Sequence, residues 1–102
     1  MNLLKGQKFL KQKEFGKALE IFQKIEKKNI KDKRIFFYLG LVYFELNKYD
    51  KSIDYYNKFL NEHPNSLGAL YNLALVKQVV GDLQHAQEIY LKLISIDRLN
   101  IR

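Results

Sequence analysis

Two histidines, His63 and His85, are the only imidazoles in the chain, and neither is joined by a second histidine or a cysteine at helical spacing. A metal site built on them has no support, because a bound ion needs three or four ligands converging on one point. Ser52 is flanked by Asp50 and Asp54 but by no histidine, so nothing nearby in sequence would activate its hydroxyl as a nucleophile. The absence of cysteine removes thiolate catalysis, disulfides and sulfur-ligated metals. No glycine-rich phosphate loop occurs. The inventory points away from an enzyme, and no cofactor is expected.

The remaining chemistry is cationic and aromatic. The 102 residues carry a formal charge of +7, and seven Tyr and seven Phe make the chain 14% aromatic. The charge is uneven. Residues 1–32 hold nine Lys against four acids, and "KIEKKNIKDKR", residues 24–34, holds six cations against two acids. Lysines that neutralise phosphates beside rings that stack on bases would bind nucleic acid. A lysine-rich helix surface is more often simply solvated, and Lys, Asn, Ile, Phe and Tyr share AT-rich codons, so a biased genome yields the same balance. A basic adaptor binding nucleic acid or an acidic protein through residues 24–34 is therefore the secondary reading.

What must position such groups is a repeat of 34 residues. One shift aligns Gly6, Gly40 and Ala74; Ala18, Ser52 and Ala86; Phe22, Tyr56 and Tyr90; Ile25, Phe59 and Leu93; and Phe15, Tyr49 and Leu83. Asp32, Ser66 and Asn100 recur as residues able to cap a following helix. Lys13, Asn47 and Gly81 recur where a helix can end in the left-handed conformation, which glycine and asparagine tolerate better than lysine. Between these marks the apolar spacing is helical, as in Phe36, Leu39 and Tyr43 or Ile53, Tyr56 and Leu60. Each unit is thus a pair of helices, with Gly40 and Ser52 placed to let the two approach closely. Pro64 stops the second helix of its unit and forces a turn before Ser66.

With Phe36, Leu39, Gly40, Tyr43, Ser52, Tyr56, Phe59 and Pro64 in this register, residues 33–66 resemble a tetratricopeptide repeat. The third unit departs from the pattern at Lys77 and Arg98, and the first at Asn2 and Lys5. The resemblance implies an all-α, right-handed solenoid of about six antiparallel helices. Its repeats would span residues 1–32, 33–66 and 67–100, with 101–102 starting a further helix or tail. It also implies a protein-interaction role, with the first helix of each repeat lining a concave wall. The matching wall positions are Leu3, Gln7, Leu10 and Lys11; Arg34, Phe37, Tyr38, Leu41, Phe44 and Glu45; then Tyr71, Asn72, Leu75, Gln78 and Val79. This wall is apolar and aromatic in its middle, so the expected ligand is an extended or helical segment of another protein, anchored on Phe37, Tyr38 and Tyr71. Asn72 and Gln7 would supply hydrogen bonds to its backbone. One subclass of the family grips the acidic C-termini of heat-shock chaperones with a clamp of Lys, Asn and Arg. The matching positions here, Leu3, Gln7, Tyr38, Gly68 and Asn72, supply no cation, which disfavours that partner.

The last helix is more apolar than its predecessors, with Ile94 and Ile96 standing where the others have Glu26 or Leu60 and Lys28 or Glu62. An apolar end of a solenoid needs a cover, so Ile89, Leu93, Ile94 and Ile96 are expected to support self-association into a homo-oligomer or contact with further repeats. No apolar run is long enough for a membrane span, and the lysine-interrupted start lacks the apolar core of a signal peptide, so a cytoplasmic location is the default expectation.

Overall fold

The computed structural model describes residues 3–28 and 31–99. They form six helices: α1 (Leu3–Lys11), α2 (Phe15–Lys28), α3 (Arg34–Glu45), α4 (Tyr49–Glu62), α5 (Leu67–Val79) and α6 (Leu83–Leu99). No strand occurs among the described residues. The helices pack as pairs, α1 on α2, α3 on α4 and α5 on α6, and each pair joins the next through α2–α3 and α4–α5 contacts. Asn2, Ile30 and Asn100, three positions in the repeat register, lie outside the described residues, as do residues 101 and 102.

The turn inside each pair is the same object three times. Lys13, Asn47 and Gly81 adopt φ of 60°, 61° and 92°. The amide that follows each reaches back to close the helix: Glu14 N donates to Phe9 O at 2.9 Å, Lys48 N to Tyr43 O at 2.8 Å and Asp82 N to Lys77 O at 2.9 Å. A second bond runs from the left-handed residue itself, Lys13 to Leu10, Asn47 to Phe44 and Gly81 to Gln78. This double bond pattern satisfies carbonyls that a helix end otherwise leaves open. Lysine accepts a strained φ at residue 13 because the motif fixes it.

Helix starts are less uniform. Ser66 caps α5, its Oγ accepting from the Ala69 amide at 3.3 Å. Asp32 is not the cap of α3: Lys33 stands there without a side-chain bond, α3 begins at Arg34, and Asp32 Oδ1 accepts from the Arg34 amide at 3.1 Å one residue ahead of the cap. The Asp32 carboxylate also holds the Arg34 guanidinium, with Nη2–Oδ2 at 2.6 Å. That hydrogen-bonded cation keeps the carboxyl below its usual range.

Gly40 and Ser52 meet across the α3–α4 pair, where Ser52 Oγ donates to the Gly40 carbonyl at 2.7 Å. The glycine makes room for a ring as well as for a backbone. A Cβ at Gly40 would stand 2.9 Å from ring carbons of Tyr56, and one at Gly6 would overlap Phe22. Both rings are fully buried, worth roughly 1.5–3 kcal/mol each as aromatic surface taken from water. Lys77 replaces the ring found at Phe9 and Tyr43. Its stem is largely buried and its Nζ reaches Asp82 Oδ2 at 3.6 Å, so aliphatic carbons fill the space while the charge finds a partner at the turn.

The joints between pairs repeat too. Tyr38 of α3 stacks on Phe22 of α2 with centroids 5.5 Å apart, and Asn72 of α5, at the matching position, donates to the hydroxyl of Tyr56 in α4 at 3.2 Å. One core cluster gathers Phe22, Ile35, Leu39 and Val42, and a second gathers Tyr56, Ala69, Leu73 and Val76.

Candidate functional site: the wall of first helices

Curvature follows from which helices touch. The first helices are in mutual contact, α1 with α3 and α3 with α5, whereas α2, α4 and α6 make no such contacts among the described residues. A stack that is tight along one edge and splayed along the other is bent, with α1, α3 and α5 on its inner side. The positions expected from sequence to form the wall all lie on these three helices.

Their accessibility divides them. Tyr71 is 49% exposed, resting edge-on against Tyr90 with centroids 6.3 Å apart. Arg34 is exposed but engaged by Asp32. Leu3, Gln7, Leu10, Phe37, Tyr38, Leu41, Phe44, Asn72 and Leu75 are half-buried. Two expected anchors have structural duties. The Phe37 ring lies edge-on to Tyr38, Tyr56 and Phe59, with Gly68 facing it, and Tyr38 stacks on Phe22. Leu3 and Leu10 pack on the first cluster and Phe44 on the second. The expected hydrogen-bond donors are also engaged: Gln7 Nε2 donates to the Tyr38 hydroxyl, and Asn72 Nδ2 to that of Tyr56. Among the apolar and aromatic wall residues, Tyr71 and Val79, 49% and 52% exposed, are the most open, while Leu41 and Leu75 are half-buried.

Lys33 of the basic segment and Lys51 and Lys58 of α4 lie over aromatic rings. Lys33 and Lys58 lie over Phe36 at 5.4 and 5.7 Å, Lys58 over Tyr55 at 4.8 Å and Lys51 over Tyr43 at 5.5 Å. Phe36 and Tyr43 are 8% and 5% exposed, so these rings are roofed by lysine stems rather than open to a base. Tyr55 donates to both oxygens of Glu26, at 2.9 and 3.1 Å. Burial, reinforced by that carboxylate, pushes its phenol well above the ordinary value, and burial does the same to Tyr56.

The residues weighed for catalysis are placed apart. Ser52 is buried under Gly40, His63 ends α4 against Phe59, and His85 lies in α6 near Asp82. No cluster of three metal-ligating side chains occurs among the described residues. No described helix is long and apolar enough to cross a membrane.

The C-terminal face departs most from the sequence reading. Ile89 is buried, and Leu93 and Ile96 pack onto the chain's own second cluster, so these three turn inward. Helix geometry explains this, since residues 86, 89, 93 and 96 share the stripe facing α5. Ile94 is 50% exposed, and beside it stand Leu83, Leu91 and Leu99, 63%, 58% and 80% exposed, which the sequence reading did not single out. The 34-residue register carried the signal for Leu83 and Leu91, because the matching residues are Tyr49 and Phe15 in the first case and Asn57 and Gln23 in the second.

Paired helices stacked with a 34-residue repeat, small residues against rings and a wall of first helices define a helical-hairpin repeat scaffold. The tetratricopeptide repeat model matches residues 35–66 and again 67–98. The chain belongs to the tetratricopeptide repeat family, and its fold is an α-solenoid of helix-turn-helix units. It is similar to MamA from Desulfovibrio magneticus, with a TM-score of 0.90 at 23% identity, covering 96% of this chain and 55% of that one. It is likewise similar to the first such domain of Spaghetti, solved bound to an HSP90 peptide, with a TM-score of 0.85 at 18% identity, covering 95% and 77%. In sequence it is 32% identical over 59 residues to ycf37 of Guillardia theta, covering 58% of this chain. The chain spans about a third of the length of that relative and about half that of MamA.

Proposed function

We propose that the wall of α1, α3 and α5 takes up a short, largely uncharged segment of a partner protein. The observation that carries this is Tyr71, a large aromatic half exposed on α5, one of the first helices of a curved stack, with Leu75 one helical turn further on. Amphipathic rings supply contact area at small entropic cost, and such residues dominate binding energy at protein interfaces. Asn72 retains its side-chain carbonyl as an acceptor for a partner's N–H. The peptide bound by the Spaghetti domain, SRMEEVD, is acidic. The residues at the matching clamp positions here, Leu3, Gln7, Tyr38, Gly68 and Asn72, carry no positive charge, so a carboxylate-rich tail is a poor fit.

Selection from a displayed peptide library tests the reading. Enriched segments should be poor in acids, bind with little dependence on salt, and lose about 2 kcal/mol of affinity with Tyr71→Ala. Tyr38→Ala is the weaker probe because it also removes the Phe22 stack. Retention of every peptide by Tyr71→Ala would sink the proposal. A steep loss of binding with salt would favour the basic adaptor, of whose segment 24–34 Lys33 lies over the largely covered ring of Phe36.

A further inference from the structure

Residues 3–13, "LLKGQKFLKQK", hold four lysines and no acid. Leu4, Lys8 and Lys11 stand at i, i+4 and i+7 of α1, on the face opposite Gly6, the glycine that meets the Phe22 ring. All three are exposed, Leu4 at 72%, and so is Lys13 in the turn that closes the helix. Among the described residues no carboxylate pairs with Lys8, Lys11 or Lys13.

No other helix of the chain treats this face in the same way. One repeat on, Leu4, Lys8, Lys11 and Lys13 become Tyr38, Val42, Glu45 and Asn47, and two repeats on they become Asn72, Val76, Val79 and Gly81. None of these is a cation. Stabilising a helix end does not demand the lysines, since α3 has no basic residue in its last turn. Solvating an uncovered helix would be met by polar residues of either sign. Lysines three apart on a helix are neighbours and repel, so an all-cationic set weakens the helix unless an anion lies against it.

Leu4 decides which anion. A leucine among lysines gains nothing in water, whereas an interfacial helix draws both on apolar area entering the lipid and on attraction to anionic headgroups. Nucleic acid would ask for open rings or guanidinium forks. The one ring of α1, Phe9, is half-buried with Lys17 Nζ 5.8 Å over it, and no arginine occurs before Arg34.

We propose that the outer stripe of α1 docks on an anionic phospholipid surface, with Lys8, Lys11 and Lys13 meeting headgroup phosphates and Leu4 entering the acyl boundary. This docking is separate from peptide uptake on the inner wall and from residues 24–34, although Lys11 stands at the edge of the wall by register.

The test is flotation of the full chain with vesicles of phosphatidylcholine alone or mixed with phosphatidylglycerol. Binding is expected to the mixed vesicles only, and should fall as salt rises. A lysine beside an anionic surface contributes about fivefold, so Lys8→Gln with Lys11→Gln should weaken partitioning by at least about tenfold. Lys27→Gln with Lys28→Gln removes the same charge elsewhere and should leave partitioning within about twofold. An equal loss there would mean that net charge alone acts, and overturns the proposal. The chain has no tryptophan, so Leu4→Trp supplies a single reporter. Its emission should shift to the blue on mixed vesicles and stay unchanged with phosphatidylcholine. Tyr71→Ala should not alter partitioning, which keeps this test independent of the inner wall. All these sites are exposed, so helical circular dichroism should be preserved in every variant. Absence of flotation, equal flotation with both vesicles, or a bound chain with unshifted emission overturns the proposal. So does a duplex oligonucleotide that displaces the chain from vesicles by binding the same lysines more tightly, which would make nucleic acid the occupant.

Discussion

At the scale of single residues, two tyrosines next to each other in sequence are tied to the fold in different ways. Tyr56 sits fully buried beneath Gly40 with its hydroxyl bonded to Asn72, while Tyr55 reaches outward to Glu26. Both phenols are held above the unfolded value of 10.0, with burial the largest cause for each. The native state therefore keeps these protons after the unfolded chain has released them. The stability this confers is complete below pH 10 and falls as pH rises beyond it. Denaturant titrations at pH 9 and pH 11 should show an alkaline loss that Tyr55→Phe and Tyr56→Phe each reduce. An unchanged alkaline slope in both variants would show that neither proton is linked to folding. Sequence alone placed Tyr56 in the core by its register with Phe22 and Tyr90. It said nothing of the Glu26 contact, because residues 26 and 55 belong to different pairs and only the solenoid's geometry joins them.

At the scale of the helix pair, spacing of small residues against rings sets how closely two helices lie. The register shows one tolerated variation, Ala74 facing the partly exposed Tyr90 where Gly40 faces the fully buried Tyr56. A ring at the open end can shift to admit a methyl group; one enclosed on all sides cannot. Gly40→Ala gains roughly 1 kcal/mol of helix propensity but overpacks the pair, a penalty of about 1–3 kcal/mol. A net destabilisation of about 1 kcal/mol is expected from urea unfolding, and a neutral or stabilised variant would mean that α3 and α4 separate freely. These elements were legible in sequence almost to the residue, because caps, left-handed turns and ring positions all recur with one period. The start of α3 lies one residue beyond the position that an Asp32 cap implies, since the Asp32 carboxylate accepts from both the amide and the guanidinium of Arg34 while Lys33 stands at the cap. The inner wall was legible as a set of positions but not as a set of anchors. Phe37 and Tyr38 are wall residues by register, yet α4 of the same pair claims the ring of Phe37 and α2 of the preceding pair that of Tyr38, and such claims depend on three-dimensional packing that periodicity does not encode.

At the scale of the whole molecule, pairs touch only their neighbours along the stack among the described residues. Stability in such a chain is a sum of local terms and joints, so the middle pair, with a joint on either side, is the most strongly held. Native-state hydrogen exchange should find the slowest amides in α3 and α4 and faster exchange in α1 and α6, with a spread above tenfold. Uniform protection along the chain would indicate a single cooperative block instead. The apolar character of the last helix was visible in sequence, but its direction was not: three of four residues expected outside face α5, and the exposed stripe runs through Leu83, Leu91 and Ile94. A helix has two apolar stripes here, and composition cannot say which one a neighbour already occupies.

Tyr90 borders both the inner wall and the C-terminal face. Its ring meets Tyr71 of the inner wall on one side, and on the other it borders a shallow depression between Gln78 and Leu91. A ligand that reorients Tyr71 thus acts on a side chain that the end of the stack also uses. Thermodynamic linkage makes any such influence mutual: by whatever factor occupancy of one surface alters affinity at the other, the reverse effect has the same size. A single phenol ring is the hinge through which the two could communicate.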